Sequence, residues 1–262
     1  MTSAIQKMGV AGIKYGFVQV GDQEVTTWLH EAIEKAAKYE MVVDVHDEYR
    51  PSGFSRTYPN LLTQEGIAGD EVTVTNEHTL ISLFTRMLAG AADNTVCYYN
   101  SRVETMGSHA SQLAKTVVLF SPLQFLYWYD RAPLAPIKDD ALWGDTKYIG
   151  SEPELEFFDA VPTTWDETKV LTAEIGKIGI VARRKNKDWF IGGLIGATAR
   201  NIQLDFSFLD EDAVYQSKLY TDDESIETRT HVKIAELVIN HKSQIELDLK
   251  ASNGFALHLV RQ

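Results

Sequence analysis

Val10-Ala-Gly-Ile-Lys-Tyr-Gly-Phe-Val18 and Met41-Val-Val-Asp-Val45, with the segment between them, decide the fold. Both are short apolar runs of strand length, and glycine punctuates the first. Between them Val25, Trp28, Leu29, Ala32, Ile33 and Ala36 recur at the three-to-four spacing of one helical face, and Asp22 is placed to cap a helix reaching residue 39. Strand, amphipathic helix and strand in this order form a βαβ unit, whose strands must run parallel with a right-handed crossover. The pattern predicts an α/β sheet or barrel, with residues 10–18 as a buried strand.

Working outward, residues 47–74 read as one long polar loop carrying Pro51, Gly53, Pro59, Gly66 and Gly69. Loops of this length in compact domains are functional or disordered, and Phe54, Tyr58, Leu61, Leu62 and Ile67 anchor this one. Residues 76–90 and 108–120 read as helices, the second capped by Ser108, while 121–150, rich in aromatics and Pro, shows no clear element. Beyond residue 165 the texture changes to alternation, in eight short runs at 170–174, 179–184, 188–193, 202–206, 215–220, 231–236, 244–249 and 255–260. Turn residues separate them, which predicts an antiparallel sandwich or barrel. The fold class is therefore α/β followed by all-β, with the join near 160–175.

The composition bounds the partners. With 25 basic against 37 acidic residues in 262, the net charge is −12, which argues against nucleic acid as a partner. No apolar run approaches the roughly 18 residues of a membrane span, and the first residues lack a charged region followed by an apolar one, so neither a membrane nor a secretory signal is expected. The single cysteine, Cys97, cannot form an internal disulfide and reads as a small buried apolar side chain.

Chemistry concentrates in residues 42–71, at the carboxyl end of the second strand, where barrels and open α/β sheets place their sites. The segment carries Asp47, Glu48, Glu65, Asp70 and Glu71, with His46, Arg50 and Arg56 beside them. Converging carboxylates suit two tasks: holding a hard cation through oxygen ligands, or sharing acid and base work at a glycosidic bond. Solvated loop charge is the plainer alternative, because the spacing fits no fixed calcium template.

His46-Asp-Glu-Tyr-Arg-Pro-Ser-Gly-Phe-Ser-Arg-Thr-Tyr-Pro-Asn60 and the following Leu-Leu-Thr-Gln-Glu-Gly-Ile-Ala-Gly-Asp-Glu71 resemble the central motif of glycoside hydrolase family 97, bacterial α-glucosidases and α-galactosidases. Phe84-Thr-Arg-Met-Leu-Ala-Gly-Ala-Ala-Asp93, Ser121-Pro-Leu-Gln124, Val161-Pro-Thr-Thr-Trp-Asp-Glu-Thr168, Val181-Ala-Arg-Arg-Lys185 and Asn253-Gly-Phe-Ala-Leu257 extend the resemblance along the chain. It implies a TIM barrel with Ca²⁺ at the site, followed by a small antiparallel β domain, here residues 1–168 and 169–262. It further implies Glu71 as general acid, Glu65 as calcium ligand, and Asp47 as base and calcium ligand, with Glu48 the substitute base because Asp is one methylene short. Glu71 completes the expected metal set, His46 would hydrogen-bond the sugar, and Arg56 would contact substrate or, like Arg50, organise the loop. Retaining members carry an Asp nucleophile in a Lys-x-Asp-Phe pattern; Lys14-Tyr-Gly-Phe17 has Gly16 there, so an inverting reaction is expected.

A complete (β/α)₈ barrel takes about 250 residues, and residues 1–168 supply only its C-terminal half. Open strand edges are expected to be covered by a second copy, as a homo-oligomer, or by a missing N-terminal part. Full-length relatives are expected to be periplasmic or secreted. Two functions follow: an α-glycosidase, or part of one, acting on an oligosaccharide or α-glycoside with Ca²⁺; and a noncatalytic remnant retaining weak carbohydrate or calcium binding. Packing, rather than stacking on sugars, is the expected role of Tyr98, Tyr99 and the 125–129 aromatics; Trp165 reads equally as lining the pocket or packing, and His109 as a helix-start residue.

Overall fold

The computed structural model describes residues 2–135 and 148–262. A short helix α1 (Thr2–Lys7) precedes strand β1 (Gly12–Tyr15), helix α2 (Gln23–Ala37) and strand β2 (Val42–Val45). The two strands pair in parallel, as the βαβ pattern predicts. Asp22 caps α2 by accepting from the Val25 N–H, and Leu29, Ile33 and Ala36 pack on Met41, Val43 and Val45. Two details differ from the sequence reading. β1 is shorter than 10–18 and half-buried, because it is the end strand of its sheet and Phe17 beyond it is 88% exposed. Inside the expected loop, Leu61–Gln64 forms β3, which pairs in parallel with β2. Its register with β2 is irregular and its four residues include Thr63 and Gln64, so no apolar periodicity announces it.

Parallel bridges from Gln64 to Ala92 and from Val96 to Leu126 continue the sheet beyond β3. The expected helix 76–90 divides into α3 (Asn76–Leu83) and a 3-10 turn at Arg86–Ala89. After α4 (Val103–Met106), α5 (His109–Val118) starts at the expected cap, with Ser108 and Ser111 forming a reciprocal capping box. Helix α6 (Leu155–Ala160) precedes the alternating region; of the stretch 121–150, for which the sequence shows no clear element, residues 136–147 lie outside the described residues.

All eight alternating runs are strands: β4 (Glu167–Glu174), β5 (Ile178–Lys185), β6 (Asp188–Ile195), β7 (Arg200–Asp205), β8 (Val214–Asp222), β9 (Val232–Asn240), β10 (Gln244–Leu249) and β11 (Gly254–Arg261). They pair antiparallel as a six-stranded sheet, β4-β5-β6-β11-β8-β9, and a two-stranded ribbon, β10-β7. Ile180, Ile191, Tyr215, Leu257 and Leu259 of the sheet meet Ile202, Leu204, Leu247 and Leu249 of the ribbon in one apolar core. Each such fully buried aliphatic side chain contributes about 1.5–3 kcal/mol. The other face of the sheet receives α5 and α6, through Leu113, Val117 and Phe157 against Phe190, Tyr220 and Ala256. The architecture is a parallel β/α segment followed by an antiparallel β-sheet domain. Among the described residues, no helix is long and apolar enough to cross a membrane.

Candidate active site

Three parallel strands end on one small patch. Gly16 and Phe17 follow β1, His46 and Asp47 follow β2, and Glu65 follows β3; Glu71 lies on the next 3-10 turn, Asp70–Val72. The ladder carries this alignment past the strand ends, with the His46 N–H donating to the Tyr15 carbonyl and the Glu65 N–H to that of Val45, both at 2.8 Å. The chain then turns sharply: Phe17, Asp47 and Gly66 all take φ in the left-handed region. Non-glycine residues in that region store strain that the surrounding contacts must hold. Here the Phe17 N–H donates to Asp47 Oδ2 and the Asp47 N–H to Glu65 Oε2. Gly66 is required, since a Cβ there would sit 2.6 Å from the Tyr49 carbonyl oxygen.

His46 is the hub. Its Nε2 lies 2.8 Å from Glu71 Oε1 and 3.9 Å from Asp47 Oδ1, and its Nδ1 is 3.0 Å from Glu65 Oε2. Burial alone would lower the pKa of this imidazole, but contact with Glu71 and the charges of Glu65 and Glu71 outweigh it and raise the value. Burial pushes the Glu65 carboxyl up to about 7, against the lowering effect of His46 and of the Asp47 N–H. Ligand atoms of His46, Glu65 and Glu71 all lie within 4.8 Å of one another, so this buried group could hold a metal ion. Glu71 Oε1 and His46 Nδ1 are buried, and their close contacts are these ionic ones, without a well-directed hydrogen bond.

Glu71 is held from its other side by residues that the sequence pattern does not bring together. Tyr129 Oη lies 3.4 Å from Glu71 Oε2, the Arg102 guanidinium donates to the Glu71 carbonyl, and Arg102 also stacks 4.7 Å over the Tyr129 ring. The Trp128 ring lies 5.7 Å from that of His46. Of the aromatics expected to pack, Tyr98 and Tyr99 do so, and Trp128 and Tyr129 pack on Cys97, Val103 and Met106 while also bordering the site. Beneath it, Lys14 pairs with Asp44 at 3.0 Å and with Asp93, its Nζ 4.0 Å from the centre of the Phe125 ring. Burial and the neighbouring Asp93 push Asp44 up to about 7 despite the Lys14 charge. A charged residue at an inward position of an otherwise apolar strand, as in Val42-Val-Asp-Val45, is the one sequence signal that marks this triad.

A cavity of about 380 Å³ opens beside the patch, lined by Asp47, Glu48, Arg50, Glu65, Glu71 and the backbone of 66–69. Glu48 and Arg50 stand exposed at its rim. Arg56 is not brought to the cavity; it is exposed on the Phe54–Arg56 turn. Loop organisation falls to another arginine, Arg86, which donates to the carbonyls of Gln64, Glu65, Gly66, Gly90 and Ala91. His109 begins α5, and burial depresses its pKa to about 4. Trp165 packs on Phe190, and Cys97 is buried.

Two family profiles match this chain. The one described as "Glycoside hydrolase 97" covers residues 1–67, and "Glycosyl-hydrolase 97 C-terminal, oligomerisation" covers 164–260. A retaining α-galactosidase of Bacteroides thetaiotaomicron is 31% identical over 97% of this chain and 39% of its own length. A probable retaining α-galactosidase of Streptomyces bingchenggensis is 28% identical over 76% of this chain and 29% of its own. Among solved structures, a family 97 enzyme of Pseudoalteromonas sp. strain K8 in complex with acarbose superposes with a TM-score of 0.79 and 25% identity, covering all of this chain and 44% of that one. The chain thus spans less than half the length of these relatives.

Proposed function

Because this chain belongs to glycoside hydrolase family 97, and carries the C-terminal part of the catalytic domain followed by the C-terminal oligomerisation domain, we propose that it serves hydrolysis of terminal α-glucosidic or α-galactosidic bonds. The observation that carries this reading is the convergence of His46, Glu65 and Glu71 at the carboxyl ends of the parallel strands. Glu71 protonates the leaving oxygen. Asp47, or Glu48 at the rim, activates water, and His46 hydrogen-bonds a sugar hydroxyl. Tyr129 and Arg102 fix the acid. We divide the chain at 168/169, so the acid and base lie in the first domain.

Calcium fits the oxygen donors of Glu65, Asp47 and Glu71. Two of these carboxylates meet at one buried point with His46, leaving negative charge that a cation would neutralise. When bound, the ion would supply a fixed positive charge and acidify bound water. The reaction is proposed to invert configuration, since the resemblance puts Gly16 where a retaining enzyme needs a carboxylate. Sterics do not demand that glycine: a Cβ there would be 3.8 Å from the nearest atom, His46 Cδ2. The Bacteroides and Streptomyces relatives are named retaining, so the anomer released first, followed by proton NMR, is the decisive readout. A retained product overturns the role of Gly16.

A second reading, sugar or cation binding without turnover, is favoured by the open β1 edge beside the site, where Phe17 and Trp28 are exposed. That edge is proposed to be covered by a second copy or by the rest of the barrel. Assays with nitrophenyl α-glucoside and α-galactoside, with and without EDTA, separate the two readings. Glu71→Gln is expected to lower kcat about 10²–10⁴-fold; activity that survives it removes Glu71 from the mechanism.

A further inference from the structure

The sheet of the antiparallel half grips helix α5 along its whole length. At the N-terminus Asp222 Oδ1 of β8 accepts from the Ala110 N–H at 3.0 Å. Arg183 of β5 donates at the C-terminus, from Nε to the Val117 carbonyl at 2.6 Å and from Nη2 to that of Val118 at 3.5 Å. In between, the helix backbone lies directly on two glycines. A Cβ at Gly192 of β6 would meet the Ala114 carbonyl oxygen at 2.6 Å, and one at Gly254 of β11 would meet Ser111 Cα at 2.7 Å.

The opposite face of α5 presents Gln112 and Lys115, three residues apart and so adjacent on the helix surface. Both are fully buried and both reach Asp70. Lys115 Nζ lies 2.7 Å from Asp70 Oδ1, while Gln112 Nε2 donates to Asp70 Oδ2 and to the Cys97 carbonyl. The Cys97 N–H also donates to Asp70 Oδ2, at 3.2 Å, and the Asp70 N–H donates to the Asn94 carbonyl at 3.0 Å. Asp70 is thus held at both carboxylate oxygens and at its own amide. Glu71 is the next residue.

We propose that the C-terminal β domain positions Glu71 through α5. The sheet fixes the helix, and Lys115 and Gln112 carry that position through the core to Asp70 and the turn bearing the acid. The β domain then has a catalytic consequence without touching the reacting atoms, and Lys115, Gln112 and Asp70 are positioning residues. The inference rests on reading Glu71 as the general acid. A buried ion pair is weak evidence for stability, since packed apolar groups of the same volume can do as well; what it supplies here is a defined geometry. That geometry matters because a misplacement of about 1 Å at a reacting group can cost about 10² in rate.

Amide hydrogen exchange on the full chain tests this together with kinetics. Gly192→Ala pushes on α5 from the sheet side, and Lys115→Met cuts the strut. Both are expected to speed exchange at the Asp70 and Cys97 amides about tenfold or more, and to lower kcat about 10–10²-fold with KM nearly unchanged. Leu247→Ala, which loosens the core on the far side of the sheet, is the control and should leave both amides unaffected. Unchanged exchange in Gly192→Ala, or equal acceleration in Leu247→Ala, overturns the proposal. Should Lys115→Met fail to fold, Gly192→Ala alone decides. A wild-type chain that hydrolyses neither glycoside removes the catalytic reading of Glu71, while exchange still decides whether the β domain governs its turn.

Discussion

Between the six-stranded sheet and its ribbon, the core is Ile178, Ile180, Ile191, Ile202, Leu204, Leu247, Leu257 and their neighbours, without a charged side chain. Around β1–β3 and α5 the buried set includes Asp44, Glu65, Asp70, Asp93 and Lys115. Among the described residues the fully buried charged residues fall between positions 44 and 154; in the antiparallel half the fully buried polar residues are Ser217 and Thr230, and Asp222 is largely covered. One half is built as an apolar sandwich; the other encloses ions only because each finds a partner, Lys14 for Asp44 and Asp93, Lys115 for Asp70. Desolvating a charge costs several kcal/mol unless it is paired and hydrogen-bonded. Buried charge therefore distinguishes the parallel half, and an apolar core the antiparallel one.

The contrast breaks most visibly at Lys14. Lys14→Met leaves Asp44 facing Asp93 in a buried site, and a loss of about 3–5 kcal/mol is expected at pH 7. The folded-state pKa of Asp44 is already raised, so a carboxyl left without its cation binds a proton more readily folded than unfolded. Stability lost in this variant should accordingly return as pH falls from 7 toward 4. Urea unfolding at three pH values checks it; a loss independent of pH would deny that charge is the cause. Leu257→Ala, on the apolar side, is expected to cost about 3 kcal/mol by cavity formation, with the same value at each pH. A pH-dependent loss there would erase the distinction between the halves.

The smallest effect tests the seam between them. His109, at the start of α5, has its pKa depressed to about 4 by burial, so the unfolded chain binds its proton more readily. This group taken alone lowers stability as pH drops from 6.5, by about 2 kcal/mol at pH 5. Asp222 acts in the opposite sense, because burial raises its pKa to about 6 and the folded state gains a proton in the same window. His109→Asn removes the first effect and leaves the second, along with the like-signed contributions of Asp44 and Glu65, so its stability relative to the parent should rise by about 1.5–2 kcal/mol from pH 6.5 to 5. Matched unfolding curves at pH 6.5 and 5 check it; a difference between variant and parent that does not change with pH would mean that another group is responsible.

Different physical signals made parts of the fold and site legible. Short strand-length runs between turn residues located all eight antiparallel strands; outer ones such as β7 alternate in burial, whereas β5, β6 and β11 are largely covered on both faces, by the apolar core and by α5. Helical periodicity with Asp22 and Ser108 as caps located α2 and α5. β3 escaped because Leu61–Gln64 is too short and too polar to stand out from a loop rich in Pro and Gly. The motif placed His46, Asp47, Glu65 and Glu71 on one segment, and the structure brings these four together. Arg102 and Tyr129 carry no local signal, since their relation to Glu71 exists only across 31 and 58 positions of chain.

Local pattern, then, determined the order of the longer elements, without β3 or the short helices α1, α4 and α6, the parallel pairing of the first two strands and the segment that carries the carboxylates. These depend on periodicity, capping and crossover handedness, each expressed within a few tens of residues. Which groups meet was decided in three dimensions. That His46 joins Glu65 to Glu71, that Lys115 crosses the core to Asp70, and that Gly192 and Gly254 let a helix backbone lie on the sheet all depend on contacts between positions far apart in the chain. A charge can be buried only where a distant partner meets it, and that meeting is a property of packing, not of any stretch of sequence.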